Sequence, residues 1–405
     1  MHRLKIFNRI AAGSFAILLA SCTNLKAPKT LFITFGAERE HFKDDAAQAR
    51  SFLNKYTEAF QRSNPDVNIV YITYKSNKVL DQIEHDSTLN LGPDVVITEP
   101  DSARSLLTRD LAKTLPNQQY FDTIYDPRIQ SEAKINNEYT FAPWLINTQI
   151  ACFNNTTIKE SPGTIGELEE LSASGKKIGL SSRLYELGWT AGTQGAISEI
   201  SSLGNMTEFK QTYPAIQRWL QWLQKAALYQ NIYFHENSRE LGTKLKNNEL
   251  DWVTCWGSQL EDLEKTMGNS LGVAALPDGP RSKAYPGHLV IGFSLGKDSS
   301  KDQRKMATKF IKTAVNTIAQ RKIQLDYLGY LAANKNVSIP PKSSKKLEAL
   351  NTSFNKQSNY YLKEIPGIDR YVERYPQLGS TLRDLINGYL DVDETLKIIT
   401  TTQTN

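Results

Sequence analysis

The sequence predicts an α/β protein of two lobes, each assembled from segments far apart in the chain. Three observations predict it. The folded part opens with an apolar run at residues 31–35, a helical stripe of Phe52, Leu53, Tyr56, Ala59 and Phe60, and an alternating run at 67–74. Strand, helix, strand in that order begins a parallel sheet, because parallel strands need a crossover of helical length. Later strand-like runs end in polar or aromatic residues, and in open α/β sheets ligands bind outside the carboxyl ends of strands. Finally, no linker rich in Pro, Gly or Ser separates two domains, while apolar runs of crossing type recur at 139–154, 287–293 and 327–333. The chain is therefore expected to pass between the lobes more than once.

Taken in order, the first segment is an address. Arg3, Lys5 and Arg9 precede a short apolar run at 11–20, which closes on Leu19-Ala20-Ser21-Cys22. About 10 apolar residues are too few for a membrane span but fit a signal sequence. The small residues before Cys22 resemble the bacterial lipobox, so residues 1–21 are expected to be removed and Cys22 acylated. Residues 22–30 would be the tether. The other reading is an ordinary signal peptide with an incidental cysteine. Either way the expected location is extracytoplasmic, in the periplasm or at the cell surface, and lipid-anchored to a bacterial membrane in the first case. Each buried methylene of an acyl chain contributes about 0.8 kcal/mol.

The remaining chain, with 405 residues and 40% apolar content overall, is long enough for two cores. The formal charge of +5 falls to about +2 without the leader. That is no electrostatic footprint for nucleic acid.

The helix over 44–62 stops at Asn64-Pro65. Gly36-Ala37-Glu38 reads as the turn after the first strand. Gly92-Pro93 turns into a buried strand at 94–98, and Glu99 and Asp101 follow it. Glu99 is a candidate ligand contact; Asp101 reads as the cap of a helix over 102–111. Residues 139–154 carry no charge and place Pro143-Trp144 where the chain leaves one lobe. Thr164 and Glu167 have capping-box spacing. The strand at 177–180 leads into Tyr185 and Trp189. Trp219 and Trp222 lie on the apolar stripe of a helix over 214–229 and read as core. The strand 251–256 puts Trp252, Thr254 and Trp256 on one side, with Trp256 last. A single amphipathic helix is expected over 301–321.

Cys152 and Cys255 lie in apolar strand-like runs, either as two buried thiols or, given the address, as a disulfide. Scattered histidines and two cysteines make no zinc site. There is no P-loop, Gly-x-Ser-x-Gly elbow, His-Glu-x-x-His or Rossmann fingerprint. No cofactor, metal or covalent chemistry is therefore expected, although two carboxylates facing a cleft could still hydrolyse a glycoside. Flat aromatic faces with a few polar groups suit a ring-shaped, hydroxyl-rich ligand.

Several short stretches, in order, carry a family resemblance: Asn64-Pro65-Asp66-Val67, Gly92-Pro93-Asp94-Val95-Val96, Tyr139-Thr140-Phe141-Ala142-Pro143-Trp144, Phe153-Asn154-Asn155, and residues 250–257, 272–280 and 287–291. Together they resemble the sugar-type family 1 extracellular solute-binding proteins of bacterial ABC importers over about residues 30–340. The resemblance implies the two-lobed periplasmic-binding-protein type II fold, with one lobe of residues 31–145 plus 290–333 and another of 146–289 plus 334–405. It implies a monomer that closes on a carbohydrate ligand and delivers it to the transmembrane subunits of an ABC permease. Carried over residue by residue, it implicates Phe35, Glu38, Glu99, Trp144, Tyr185, Trp189, Trp256 and His288 in binding. The chain departs from the family at Trp256, which precedes Gly257 with no proline between. Ferric ion, a polyamine or an anchored polysaccharide-degrading activity are the alternatives.

Overall fold

The structure, a computed structural model, describes residues 29–37, 42–205, 212–327, 329–337, 340, 344–356 and 361–401. Cys22 and Glu38 lie outside the described residues. The strands are β1 (Lys29–Ala37), β2 (Val67–Lys75), β3 (Val95–Thr98), β4 (Ala112–Lys113), β5 (Lys134–Ile135), β6 (Glu138–Tyr139), β7 (Ala142–Asn154), β8 (Ile178–Ser181), β9 (Ile232–His235), β10 (Trp252–Trp256), β11 (Leu271–Ala274), β12 (His288–Gly296) and β13 (Leu331–Ala332). Eleven of them form one sheet, ordered β2-β1-β3-β12-β7-β10-β8-β9 with β4, β11 and β13 on branches, and β5 and β6 pair separately.

β7 is the strand on which the sheet turns. All of its residues are buried, which explains why it reads as a continuous apolar run without alternation. Its first part, from Ala142 to Thr148, pairs with β12, and from Gln149 to Phe153 it pairs with β10. One strand thus belongs to both halves of the molecule. β1 pairs parallel with β2 and β3, and β8 parallel with β9 and β10. The carboxyl ends of β1, β2 and β3 consequently open on one side.

Two apolar clusters flank this sheet. One gathers Leu31, Phe60, Phe121, Phe141, Phe293 and Phe310. The other packs Leu180, Trp189, Trp219, Leu223 and Trp252 against Leu382 and Ile399 of the last two helices. Trp219 and Trp222 are core, as the helical stripe requires. Cys152 and Cys255 are joined in a disulfide that ties β7 to β10, which settles the two readings of those cysteines.

Local departures have local causes. The expected helix over 301–321 is two helices, Lys301–Ala314 and Thr317–Asp326. Asn316 caps the second, its Oδ1 accepting from the Ala319 N–H at 2.8 Å. β1 runs through Gly36 and Ala37 because its register with β2 continues to Ala37↔Lys75. The helix after β3 is Pro100–Thr108, with Glu99 rather than Asp101 at the N-cap and Pro100 in the first turn, where its missing N–H costs nothing. Among the described residues no helix is long and apolar enough to cross a membrane.

Candidate functional site

A cleft of about 1130 Å³ runs between the two halves of the sheet. One wall comes from the carboxyl ends of β1 and β3 and the turn after β2: Phe35, Ser76, Val79 and Glu99. The other comes from the helix Ser238–Lys246 and the segment after β10: Arg239, Thr243, Ser258 and Gln259. Trp144, Leu145, Ile291 and Tyr330 lie along its base.

Phe35 is a buried edge of the first wall and meets Tyr71 edge-on, ring centroids 6.4 Å apart. The Glu99 carboxyl makes no hydrogen bond or ion pair with a described residue, while its backbone carbonyl accepts from the Ala103 N–H at 2.9 Å. Solvent reaches it, but the crowding walls desolvate its carboxyl. That crowding, with the charge of Asp101 added, raises its pKa.

The expectation for Trp144 is corrected. It does not stand at the mouth: it is 2% exposed, packed against Phe52, Tyr56 and Phe293 at centroid distances of 5.4, 5.2 and 4.9 Å. An indole held on three sides forms part of the cleft floor, not its mouth. Trp189 is also corrected. It is 1% exposed and packs against Trp222, so it belongs to the second core and not to the cleft. Helical periodicity explains this: in the helix Leu184–Thr193, Tyr185 and Trp189 are one turn apart, but only the first turn reaches beyond the core.

Tyr185 and Trp256 are brought together. Their rings stack nearly parallel, 3° apart, with centroids at 5.9 Å. Trp256 is mostly covered, whereas Tyr185 is 50% exposed and presents an aromatic face. Gly287 lies under both ring edges; a Cβ there would come within 3.1 Å of each. The Tyr185 hydroxyl accepts from the His288 N–H at 3.0 Å. Desolvation of that hydroxyl and the nearby charge of Glu132 push its pKa well above the phenol value, so it stays neutral; Glu99, from the opposite wall, adds to the effect.

His288 is corrected from ligand contact to brace. Its Nε2 lies 3.0 Å from Glu132 Oε1, and the two side chains are 7% and 15% exposed. Its ring also meets Phe354 edge-on. The pair joins β12 to the helix Pro127–Ala133.

Two residues of β7 that the sequence reading passed over hold the site in place. Asn147 clips the turn after Trp256 twice, donating to Ser258 Oγ and accepting from Ser258 N–H, both at 3.0 Å. Gln149 donates to the Glu186 carbonyl at 3.0 Å and accepts from the Gly287 N–H at 3.2 Å, fixing the segments that carry Tyr185 and His288. The available signal was three polar residues, Asn147-Thr148-Gln149, inside a buried strand. Buried polar groups need partners, and these find them in the two loops beside the stacked rings.

Asp369, on the helix Tyr361–Arg374, adds a carboxylate near this region. It makes no ion pair among the described residues, and burial, helped by Asp101, lifts its pKa to about 6. Among the described residues no group of three His, Cys, Asp or Glu could hold a metal ion.

Residues 55–352 match the family model described as bacterial extracellular solute-binding protein. No curated protein sequence matches the chain. Among solved structures, the GacH receptor of Streptomyces glaucescens, described unliganded and with acarbose, superposes with a TM-score of 0.74 at 14% identity, covering 92% of this chain and 97% of that one. The maltose-bound protein MalE of Listeria monocytogenes gives 0.67 at 18% identity, with 94% and 100% covered. The maltotriose-bound MalE domain of Bdellovibrio bacteriovorus gives 0.66 at 16%, with 92% and 98% covered. These likenesses show the fold, the two-lobed α/β architecture of periplasmic binding proteins. The family match reaches from the first helix to the helix behind His288, through both walls of the cleft, and the chain belongs to the bacterial extracellular solute-binding proteins.

Proposed function

We propose that the protein is the lipid-anchored substrate-binding subunit of an ABC importer and that it captures an oligosaccharide or polyol glycoside by closing two lobes over it. The observation that carries this is the cleft itself, whose lining Gln259 accepts from the N–H of Trp256, the stacking partner of the exposed Tyr185 ring. At about 1130 Å³ it exceeds the usual few hundred to 1,000 Å³ of small-ligand pockets and has room for several rings. Aromatic faces stack on sugar C–H faces, and Glu99, Ser76, Arg239 and Thr243 offer hydrogen-bonding partners to hydroxyls. The GacH and MalE structures, with acarbose, maltose and maltotriose, support the ligand class. Walls supplied by elements on either side of β7 in the sheet, β1 and β3 on one side and the segment after β10 on the other, support the lobe division at 145/146 and 289/290. Ligand contact with both walls is what favours the closed form, because only differential affinity shifts such an equilibrium. Cys22 supplies the anchor and the permease is the partner.

A cationic solute such as a polyamine is the second reading. Glu99 and Asp369, both without ion-pair partners among the described residues, favour it.

Thermal-shift measurement against maltodextrins, other glycosides, polyols and spermidine tests both. A ligand at 100 times its dissociation constant adds about 2.7 kcal/mol of stability. A shift with glycosides supports the first reading, and a shift with spermidine alone replaces it. Product formation from a bound oligosaccharide would make the protein an enzyme instead.

A further inference from the structure

A groove of about 620 Å³ lies away from the cleft, along the outer face of the helix Lys301–Ala314. Lys29, Lys305, Lys309 and Lys312 line it with Thr308, Thr313 and Asn316, against one acid, Asp302. The helix buries Ala307, Phe310, Ile311 and Ala314. Its opposite face carries Lys301, Lys305, Lys309 and Lys312, spaced i, i+4, i+8 and i+11, and therefore within one narrow arc.

A charged outer face alone is ordinary. Three further facts make this one different. Elsewhere the surface is mixed: many lysines are paired to acids, as in Lys113–Asp110, Lys265–Glu261 and Lys322–Asp326, and those without an ion pair among the described residues, such as Lys75, Lys159 and Lys345, are scattered along the chain and do not form a row. None of Lys29, Lys301, Lys305, Lys309 and Lys312 forms an ion pair with a described residue. Lys309 Nζ donates to Asn64 Oδ1 and Lys312 lies over the Tyr120 ring, both neutral partners. Lastly, Lys29 is only seven residues on from Cys22. A chain reaches at most about 3.6 Å per residue, so an acylated Cys22 would hold Lys29 within about 25 Å of the bilayer surface.

We propose that this lysine groove is a docking surface for the anionic phospholipid headgroups of the membrane in which the protein is anchored. The tether supplies proximity and the groove supplies orientation. Lys29 and the helix Lys301–Ala314 turn toward the bilayer, and lipid phosphates take the anion positions that no side chain fills. The proposal goes beyond ligand capture and uses only the anchor from the functional reading. Attraction between a basic face and an anionic surface acts within a Debye length of about 8 Å at physiological salt, so it needs the closeness that a short tether imposes.

The test uses the full chain, acylated and reconstituted in vesicles of phosphatidylglycerol or of phosphatidylcholine, with amine acetylation read by mass spectrometry. Protection of Lys305, Lys309 and Lys312 in phosphatidylglycerol alone, lost in 0.5 M salt, is expected. Lys78 and Lys322 should label equally in both. In Lys305→Gln/Lys309→Gln/Lys312→Gln the orientation should be lost, with about a fivefold weaker vesicle affinity for each charge removed and unchanged ligand-induced thermal shifts. Equal labelling in the two lipids overturns the proposal. Protection by inorganic phosphate without vesicles also overturns it, in favour of a free-anion pocket. If the N-terminal peptide carries no acyl chain, the anchor reading fails by itself. The same protein added to preformed vesicles then decides the groove: sedimentation with phosphatidylglycerol that the triple variant loses supports it, and none refutes it.

Discussion

Replacing both Cys152 and Cys255 with alanine is expected to lower stability by more than any single surface change. The disulfide spans a sequence separation of 103 residues. In the chain-entropy account, cross-linking a loop of about 100 residues stabilises by roughly 4.7 kcal/mol, mostly by restricting the unfolded chain. The unfolding entropy near 60 °C is about 2.1 cal/mol/K per residue. A drop of that size therefore lowers the midpoint by roughly 6 °C if the whole chain unfolds as a unit, and by roughly 11 °C if about half of it unfolds separately. Differential scanning calorimetry of the wild type and the double variant measures this directly. Both cysteines are fully buried, 0% and 1% exposed, so millimolar dithiothreitol should leave the native disulfide intact well below the midpoint and reduce it only as unfolding exposes it. The bond also fixes β10, which ends in Trp256, against β7, so the variant should bind ligand more weakly even below its midpoint. A midpoint within about 2 °C of wild type, or ready reduction of the native protein, would refute the reasoning.

Tyr185→Ala and Trp256→Ala should each weaken ligand binding by about 1 kcal/mol, roughly fivefold, by isothermal titration, with the fold retained by circular dichroism; wild-type affinity in both would remove the stacked pair from the site. Trp189→Ala should instead cost about 3–5 kcal/mol in denaturant unfolding, because it empties a core position. Normal stability with lost binding would return Trp189 to the cleft. Asp369, raised by burial to about 6, keeps a proton in the native state between about pH 4 and 6 that the unfolded chain has released. Its contribution to stability therefore falls as pH rises through that window. Asp369→Asn should remove this slope and raise the midpoint at pH 7.5 while leaving pH 4 unaltered, as read by thermal unfolding across pH; an unaltered slope would show that the solvent-exposed Asp369 carboxyl is not desolvated enough to titrate high. Asn147→Ala should cost about 1–2 kcal/mol for two lost hydrogen bonds and loosen the turn that follows Trp256. Unchanged stability and affinity would show that Ser258 needs no clip.

What the sequence by itself determined was whatever local periodicity encodes. The β1–helix–β2 opening, the helix carrying Trp219 and Trp222, the Thr164–Glu167 capping box and the long buried β7 were all legible, because each is set by spacing within a few residues. Tyr185 and Trp256 were both named in the sequence, but their stacking was not, because it joins residues 71 positions apart. Strand alternation placed Trp256 last on its strand, where the structure also has it, while one turn of helix did not show that Trp189 faces the second core: spacing tells which residues share a face and not which core that face meets. Trp144 misled for a similar reason, since its neighbours Phe52, Tyr56 and Phe293 arrive from three distant segments.

Only the tertiary structure decided the rest. It joined Cys152 to Cys255, turned His288 into a brace through Glu132, and gave Asn147 and Gln149 their work as clips. It also set Gly257 against Gly329, where a Cβ on either would come within about 2.3 Å of the other's carbonyl oxygen. Each of these depends on two segments meeting across the sheet. A lone cysteine, histidine or glycine carries no mark of its partner, because hydrogen bonds, ion pairs and close contacts are fixed by distance in space, and β7 brings together residues that the chain keeps a hundred positions apart.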